Sequence, residues 1–390
     1  MSNSKVIIEQ KYIDTDLKKQ IVEMISSKSS SNMIPILVKG MREKVSKMTP
    51  IDLIHKYENK YEFFGPSSLD LRQTNKYNMM FLESLPNYFD AIDISPINPI
   101  GTNAIITSVS QDVSLSTIRG SEVNSDPTTA LTLEAASRRK KLAINEETFF
   151  DEVHLATIHP VLRLQKFDLS KGYMQHFNLF GLVSSGRNNN NLEEYELDLL
   201  FQHIDIFLEF IEKLNNNGYY LNDVSVNIFH ISFIEKLIKD GFLSRKDVNL
   251  NSLNDDYNLF KENNISIPDS IQNVDELSED IIKKYKLESV ISIYNNINKK
   301  FLNLRKKWNN VNFCIDFNRK AGLGYYEGFC YHIFAKNENG VELQLSDGGV
   351  VNWNKKLLSD KKEVSVTSGF GAELIQKMYI RSKKNENIRN

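Results

Sequence analysis

Two stretches of the chain combine residue types that could build a binding pocket. One runs Ala321-Gly-Leu-Gly-Tyr-Tyr-Glu-Gly328 into an aromatic-rich strand, and is followed by Asp347-Gly-Gly349 and Thr367-Ser-Gly-Phe-Gly371. Paired tyrosine rings beside glycines make a wall with hydroxyls for orientation, and glycine lets a ligand approach the backbone. The other, from His159 to Gly181, carries Arg163 near a strand end, Gly172 in a loop, then Phe177, Phe180 and Gly181 on a second strand. Gly322 to Gly328 is not a dinucleotide fingerprint, because that loop needs a helix straight after the glycines and an alternating strand follows instead. Neither a Walker loop nor a Gly-x-Ser-x-Gly elbow occurs. The histidines are scattered, and Cys330 with His332 on one strand face brings too few ligands for a metal.

The elements that must position these residues follow from periodicity and punctuation. Residues 16–25 and 50–56 read as helices, the second opened by Thr49 and Pro50. A helical stripe over 78–85 precedes a strand over 88–95 that stops at Pro96. Asp126-Pro127 leads a helix over 128–142. Strands over 153–164 and 176–183, joined by a polar loop, predict an antiparallel pair. An amphipathic helix over 193–214 ends at Asn215-Asn-Asn-Gly218, and 219–230 is strand-like. Residues 231–307 are mostly helical and charged. After them, 311–317, 328–336 and 341–345 alternate like strands of one antiparallel sheet, and 372–381 reads as a closing helix. The order gives an α+β protein on an antiparallel sheet. Its expected parts are a helical N-terminal extension (1–60), a first half of the core (61–230), a helical insertion (231–310) and a second half (311–390).

The 390 residues are 41% hydrophobic and 25% charged, which excludes a disordered or fibrous chain. Lysine and arginine total 48 against 50 acids, a net charge of −2, so no overall basic field exists to hold a phosphate backbone. Two cysteines make no disulfide framework. No apolar run is long enough for a membrane span, and the first ten residues lack the apolar stretch of a signal peptide. The expectation is a soluble cytoplasmic protein.

At the two pocket-forming stretches the chain resembles the catalytic core of histidyl-tRNA synthetase and its class II relatives. Val161-Leu-Arg163 and Gly172-x-x-x-x-Phe177-x-x-Phe180-Gly181 match motif 2 in order and spacing. Gly322-Leu-Gly-Tyr325-Tyr326-Glu-Gly328 looks like the histidine-specific signature, and Ser368-Gly-Phe-Gly371 sits where motif 3 begins. Asp126-Pro-Thr-Thr129-Ala130 is similar to the segment holding the substrate amino group. Pro96 resembles the motif 1 proline at the dimer interface, which implies a homodimer. The resemblance spans residues 61–377 and implies a class II synthetase-like antiparallel sheet flanked by helices, with an insertion where the family has one.

The departures are as informative. Adenylation needs cations on the triphosphate as charge builds there. Arg163 is kept, and the resemblance implies a contact to the α-phosphate. The acidic residue two positions on is Gln165, and the loop arginines correspond to Tyr173 and Gln175. The motif 3 arginine falls at Gln376, beside Lys377. The arginine and aspartate of the histidine signature are Ala321 and Gly324, and two further motif 2 positions are Leu179 and Val183. Arg119, Arg187 and Lys377 are the candidate replacements. No anticodon-binding domain is expected.

These features favour a synthetase-like paralogue that binds an amino acid or related metabolite without charging tRNA. Its role would be regulatory or accessory, as in the regulatory subunit of ATP phosphoribosyltransferase, with a partner protein to regulate. Arg119, Glu122, Asp126, Thr129, Tyr325 and Tyr326 are the candidate ligand-binding residues, an acid pairing with the ammonium and the tyrosines packing on the side chain. The alternative is an enzyme that activates a carboxylate with ATP and Mg²⁺ and passes the acyl group to a non-canonical acceptor. Arg163 would then be catalytic, with Gln165, Phe177 and Arg187 at the nucleotide and Glu327 or Asp347 on the metal.

Overall fold

The computed structural model describes residues 15–27, 30–107, 109–165, 174–188, 190–251, 254 and 257–381. Gly172 and Tyr173 lie outside the described residues, as do the first fourteen. The described strands are β1 (Asp90–Ala91), β2 (Ile97–Pro99), β3 (Ser121–Val123), β4 (Val153–Leu162), β5 (His176–Arg187), β6 (Asn222–His230), β7 (Ser270–Ile271), β8 (Asn312–Asp316), β9 (Phe329–Lys336), β10 (Glu342–Val351) and β11 (Glu363–Gly371). Nine of them form one sheet in the order β1-β4-β5-β11-β10-β9-β6-β8-β7, while β2 and β3 pair apart.

Alternation along β5 explains how the sheet is covered on both faces, since successive side chains point opposite ways. Phe180 and Leu182 face the 25-residue helix Leu192–Asn216, which lays Phe207 and Phe210 on the sheet. Phe180 stacks on Phe81 of the helix Leu71–Leu82 at 4.3 Å between centroids, and Phe370 of β11 meets Phe207 at 5.0 Å. On the other face, Val183 packs with Leu131 and Ala135 of the helix Pro127–Leu142. Gly181 lets that helix come close: a Cβ there would stand 3.3 Å from Pro127 and 3.4 Å from Leu131. Between β5 and β11 the helix is tied down by an ion pair in which Arg139 reaches Glu363 at 2.9 Å, both side chains buried.

The antiparallel pair predicted around residue 165 is β4 with β5, in register from Val153↔Ser185 to Leu162↔His176. Four readings differ. The last strands run further than expected: β10 continues to Val351, and β11 (Glu363–Gly371), which the sequence did not single out as a strand, sits between β5 and β10. Of residues 88–95, only Asp90–Ala91 form a strand, parallel to β4, with one further bond from the Ile92 N–H to the Ala156 carbonyl at 2.9 Å before the chain leaves the sheet ahead of Pro96. The strand near 312 joins β6 in parallel and β7 in antiparallel fashion, rather than pairing with β9, which follows it. A parallel pair needs a crossover, and the segment between β6 and β8 supplies it, with helices Ser232–Lys239, Arg245–Leu250, Leu259–Glu262, Glu279–Lys284 and Glu288–Lys307. That segment also shares the main core through Phe233, Phe260 and Tyr294. The closing helix is shorter than expected, Glu373–Met378.

Candidate functional site

A cavity of about 540 Å³ opens where β10 and β11, the start of the Pro127–Leu142 helix, the end of β4 and the loop before β9 converge. Asp347 and Gly369 lie opposite each other across β10 and β11 on its floor. Tyr325 and Tyr326 form a wall, Asp126 and Thr128 stand at the helix start, and Arg163 enters from the end of β4.

Each of these side chains has a local reason for its place. Asp126 is the N-cap that its sequence context predicts, its Oδ1 accepting from the Thr128 backbone N–H at 2.9 Å and from the Thr128 hydroxyl at 2.8 Å. The Tyr325 hydroxyl donates to the other oxygen, Asp126 Oδ2, at 3.4 Å. Burial, reinforced by Asp126 and Asp347, pushes the Tyr325 phenol well above its usual range, so it remains a donor. The Tyr325 ring is fixed edge-on to Tyr326 (4.9 Å) and to Trp353 (5.2 Å). Gly322, at φ +87°, and Gly349 make room for Tyr326: a Cβ on them would fall 2.7 Å and 2.6 Å from its ring. Arg163 donates from Nε to the Ser125 carbonyl at 2.8 Å and lies over the Phe177 ring at 5.5 Å. Gln165 also lines the cavity.

Other candidates are used elsewhere. The Glu122 carboxylate is fully buried and holds the start of the helix Thr102–Thr107, accepting from the backbone N–H groups of Gly101 and Asn103 at 2.9 Å each and from the Gln111 amide at 2.6 Å. The Thr129 hydroxyl is likewise buried, donating to Asn103 Oδ1 at 3.1 Å and to the Asp126 carbonyl at 2.8 Å. Glu122 and Thr129 thus position Asn103, which does line the cavity. Arg119 is exposed and outside it. Arg187, at the opposite end of β5 from His176, pairs with Asp360 and covers Phe149. Gln376 is buried and accepts from the Thr74 hydroxyl at 3.1 Å, and Lys377 pairs with Glu373 at 3.0 Å.

One residue escaped the sequence reading. Arg319, two positions before Ala321, is buried, bonds Asp347 Oδ1 at 2.9 Å and the Ala321 carbonyl at 3.0 Å, and lies over the Tyr326 ring at 5.5 Å. The available signal was an arginine just ahead of a glycine-tyrosine cluster, displaced from the position that the resembling signature uses. His332 stands 3.6 Å from the same Asp347 oxygen. Burial lowers His332 to about 4, so near neutral pH its ring is uncharged and Arg319 is the cation on Asp347.

Glu327 and Asp347 do not fit together as a Mg²⁺ ligand pair. Glu327 is outside the cavity and bonded to Lys355 at 2.8 Å, while Asp347 is held by Arg319. No group of three or more metal-ligating side chains occurs among the described residues. Burial pushes Cys330 up to about 12, which leaves its thiol protonated and a poor ligand. For a nucleotide, Arg163 and Gln165 are in place on the cavity wall.

Neither a protein-family model nor a curated protein matches the sequence. Solved structures do match the fold. An ATP phosphoribosyltransferase regulatory subunit/histidyl-tRNA synthetase from Bacillus halodurans C is similar at TM-score 0.57 and 13% identity, over 80% of this chain and 81% of its own. Histidyl-tRNA synthetase from Nostoc sp. PCC 7120 gives 0.52 and 15%, over 81% and 74%. A histidine–tRNA ligase subunit from Alicyclobacillus acidocaldarius gives 0.51 and 12%, over 80% and 94%. The mixed, mostly antiparallel sheet with its flanking helices is therefore a class II synthetase-like fold.

Proposed function

We propose that this chain is a synthetase-like paralogue whose cavity binds an amino acid or related amine-bearing metabolite, in a regulatory or accessory role rather than in tRNA charging. The observation that carries this reading is the Asp126–Tyr325 pair facing Asp347 across one cavity. Two carboxylates and a phenol that stays protonated offer acceptors and a donor suited to an ammonium group and its neighbour. Of the described residues lining the cavity, Arg163 is the one cation, whereas a triphosphate calls for several. The similar structure from B. halodurans is named for a regulatory subunit as well as a synthetase, which supports a partner protein as the target of regulation.

Thermal unfolding in the presence of each standard amino acid and of histidine-pathway intermediates tests the reading. One of them should raise the midpoint. Tyr325→Phe combined with Asp126→Asn should cancel that shift, and an undiminished shift in the double variant rejects the site. A second reading, carboxylate activation with ATP, rests on Arg163 reaching the cavity. Ligand-dependent pyrophosphate–ATP exchange that disappears in Arg163→Ala would establish it in place of the first.

A further inference from the structure

The helices ahead of the core leave apolar side chains in water that a folded chain ordinarily covers. Thr15–Ser27 places Leu17, Ile21, Met24 and Ile25 on one stripe, at the three- and four-residue spacing of a helix face. All four are exposed, Leu17 at 50% and Ile25 at 49%. The following helix, Ser30–Val45, buries Met33 but leaves Ile36 at 58% and Met41 at 47%. An exposed apolar stripe of this kind marks an interaction site.

Its charge identifies the partner. Residues 15–48 carry seven lysines and arginines against three acids, a net of +4, so the rest of the chain carries −6. Lys18 and Lys19 lie beside the apolar stripe on the polar face of the first helix, and Lys39, Arg42 and Lys44 continue the basic character along the second. A second copy of the same helices would bring like charge against like charge. A surface that is negative outside and apolar beneath matches both features at once, and an amphipathic helix with a lysine-rich polar face lies in such an interface with its apolar side immersed. No helix of the described residues is long and apolar enough to cross a bilayer.

We propose that the helices Thr15–Ser27 and Ser30–Val45 bind an anionic lipid surface, holding the synthetase-like core beside a membrane. Full-length protein should co-sediment with phosphatidylcholine vesicles containing phosphatidylglycerol and not with phosphatidylcholine alone. Each lysine near the surface is worth about fivefold in binding, so Lys18→Glu with Lys19→Glu should weaken binding at least tenfold, as should raising the salt. Ile21→Asp with Ile25→Asp should abolish it with no change in the unfolding of the core, since both positions are exposed. Equal binding to neutral vesicles overturns the charge assignment. Failure to bind anionic vesicles overturns the proposal. If, in addition, sedimentation equilibrium gives a dimer that Ile21→Asp with Ile25→Asp dissociates, the stripe is covered by a second copy instead.

Discussion

Gly349 shows how narrowly the tyrosine wall is set. A methyl group there would lie 2.6 Å from the Tyr326 ring, 2.7 Å from Cys330 Cβ and 2.7 Å from the Phe329 carbonyl. Only the ring could yield, and it is wedged between Arg319 and Tyr325. Gly349→Ala should therefore destabilise the protein by about 1–3 kcal/mol, the usual cost of overpacking, and also remove ligand-induced stabilisation by shifting the wall; denaturant titration with and without ligand measures both. Asp126, Arg163, Tyr325, Tyr326 and Asp347 were legible in the sequence because each stands beside a local marker: a helix start, a strand end or glycines. Glu122 and Thr129 look equally suitable in one dimension. Glu122 turns inward because the backbone N–H groups of Gly101 and Asn103, and the Asn103 side-chain NH2, need an acceptor, and Thr129 because the Asn103 Oδ1 needs a donor. Arg319 was not legible, since its burial depends on Asp347 arriving from a strand 28 positions further on.

Between elements, the long helix is joined to the sheet by a file of polar groups running inward from the exposed Glu152, as well as by aromatic packing. Glu152 meets His154 at 2.8 Å, His154 meets Ser184 at 2.8 Å, and Ser184 meets His203 at 2.8 Å; His203 in turn meets Ser368 at 2.8 Å. Burial lowers His203 to about 3, and His230 and His332 to about 4 each, so all three are neutral when folded. Unfolded histidine titrates near 6.5. Between that value and about 3 to 4 the unfolded chain binds more protons, so stability is complete above pH ~6.5 and falls as the pH drops. Glu196 acts in the opposite sense. Burial, only partly offset by Lys355, raises it to about 7, so it costs stability as pH rises from about 4.5 to 7. Glu196→Gln should therefore be more stable than the parent at pH 8, by up to about 3 kcal/mol, and should show a steeper acid decline; urea titrations across pH 5–8 read both. The long helix and strands β4, β5, β6 and β9 were readable from period, but β11, which brings Ser368, was not, because Gly369 and Gly371 give its second half the composition of a turn. The parallel β6–β8 pair was not, because the pattern of a strand is the same whichever neighbour it takes.

At the scale of the whole molecule, the β2–β3 ribbon and the helix Thr102–Thr107 between its strands leave Ile97 at 47%, Ile100 at 49% and Ile105 at 74% exposed. They adjoin Pro96, whose sequence context resembles a dimer-interface motif, and we expect a twofold homodimer through this ribbon. Light scattering should give twice the chain mass, and Ile97→Asp with Ile105→Asp should return it to the monomer value while the circular dichroism of the folded chain is kept; the unfolding midpoint should fall only by the stabilisation that association supplies. A parent that is monomeric would discard this interface. The sheet order carries a further consequence, for synthesis. β11, the last strand described, sits in the middle of the sheet between β5 and β10. Until residues 363–371 leave the ribosome, the earlier strands form two separate half-sheets, each with a long apolar edge open to pairing with another chain. The centre of the sheet is thus completed last, and the β5 edge stays open from the synthesis of Arg187 until that of Gly371.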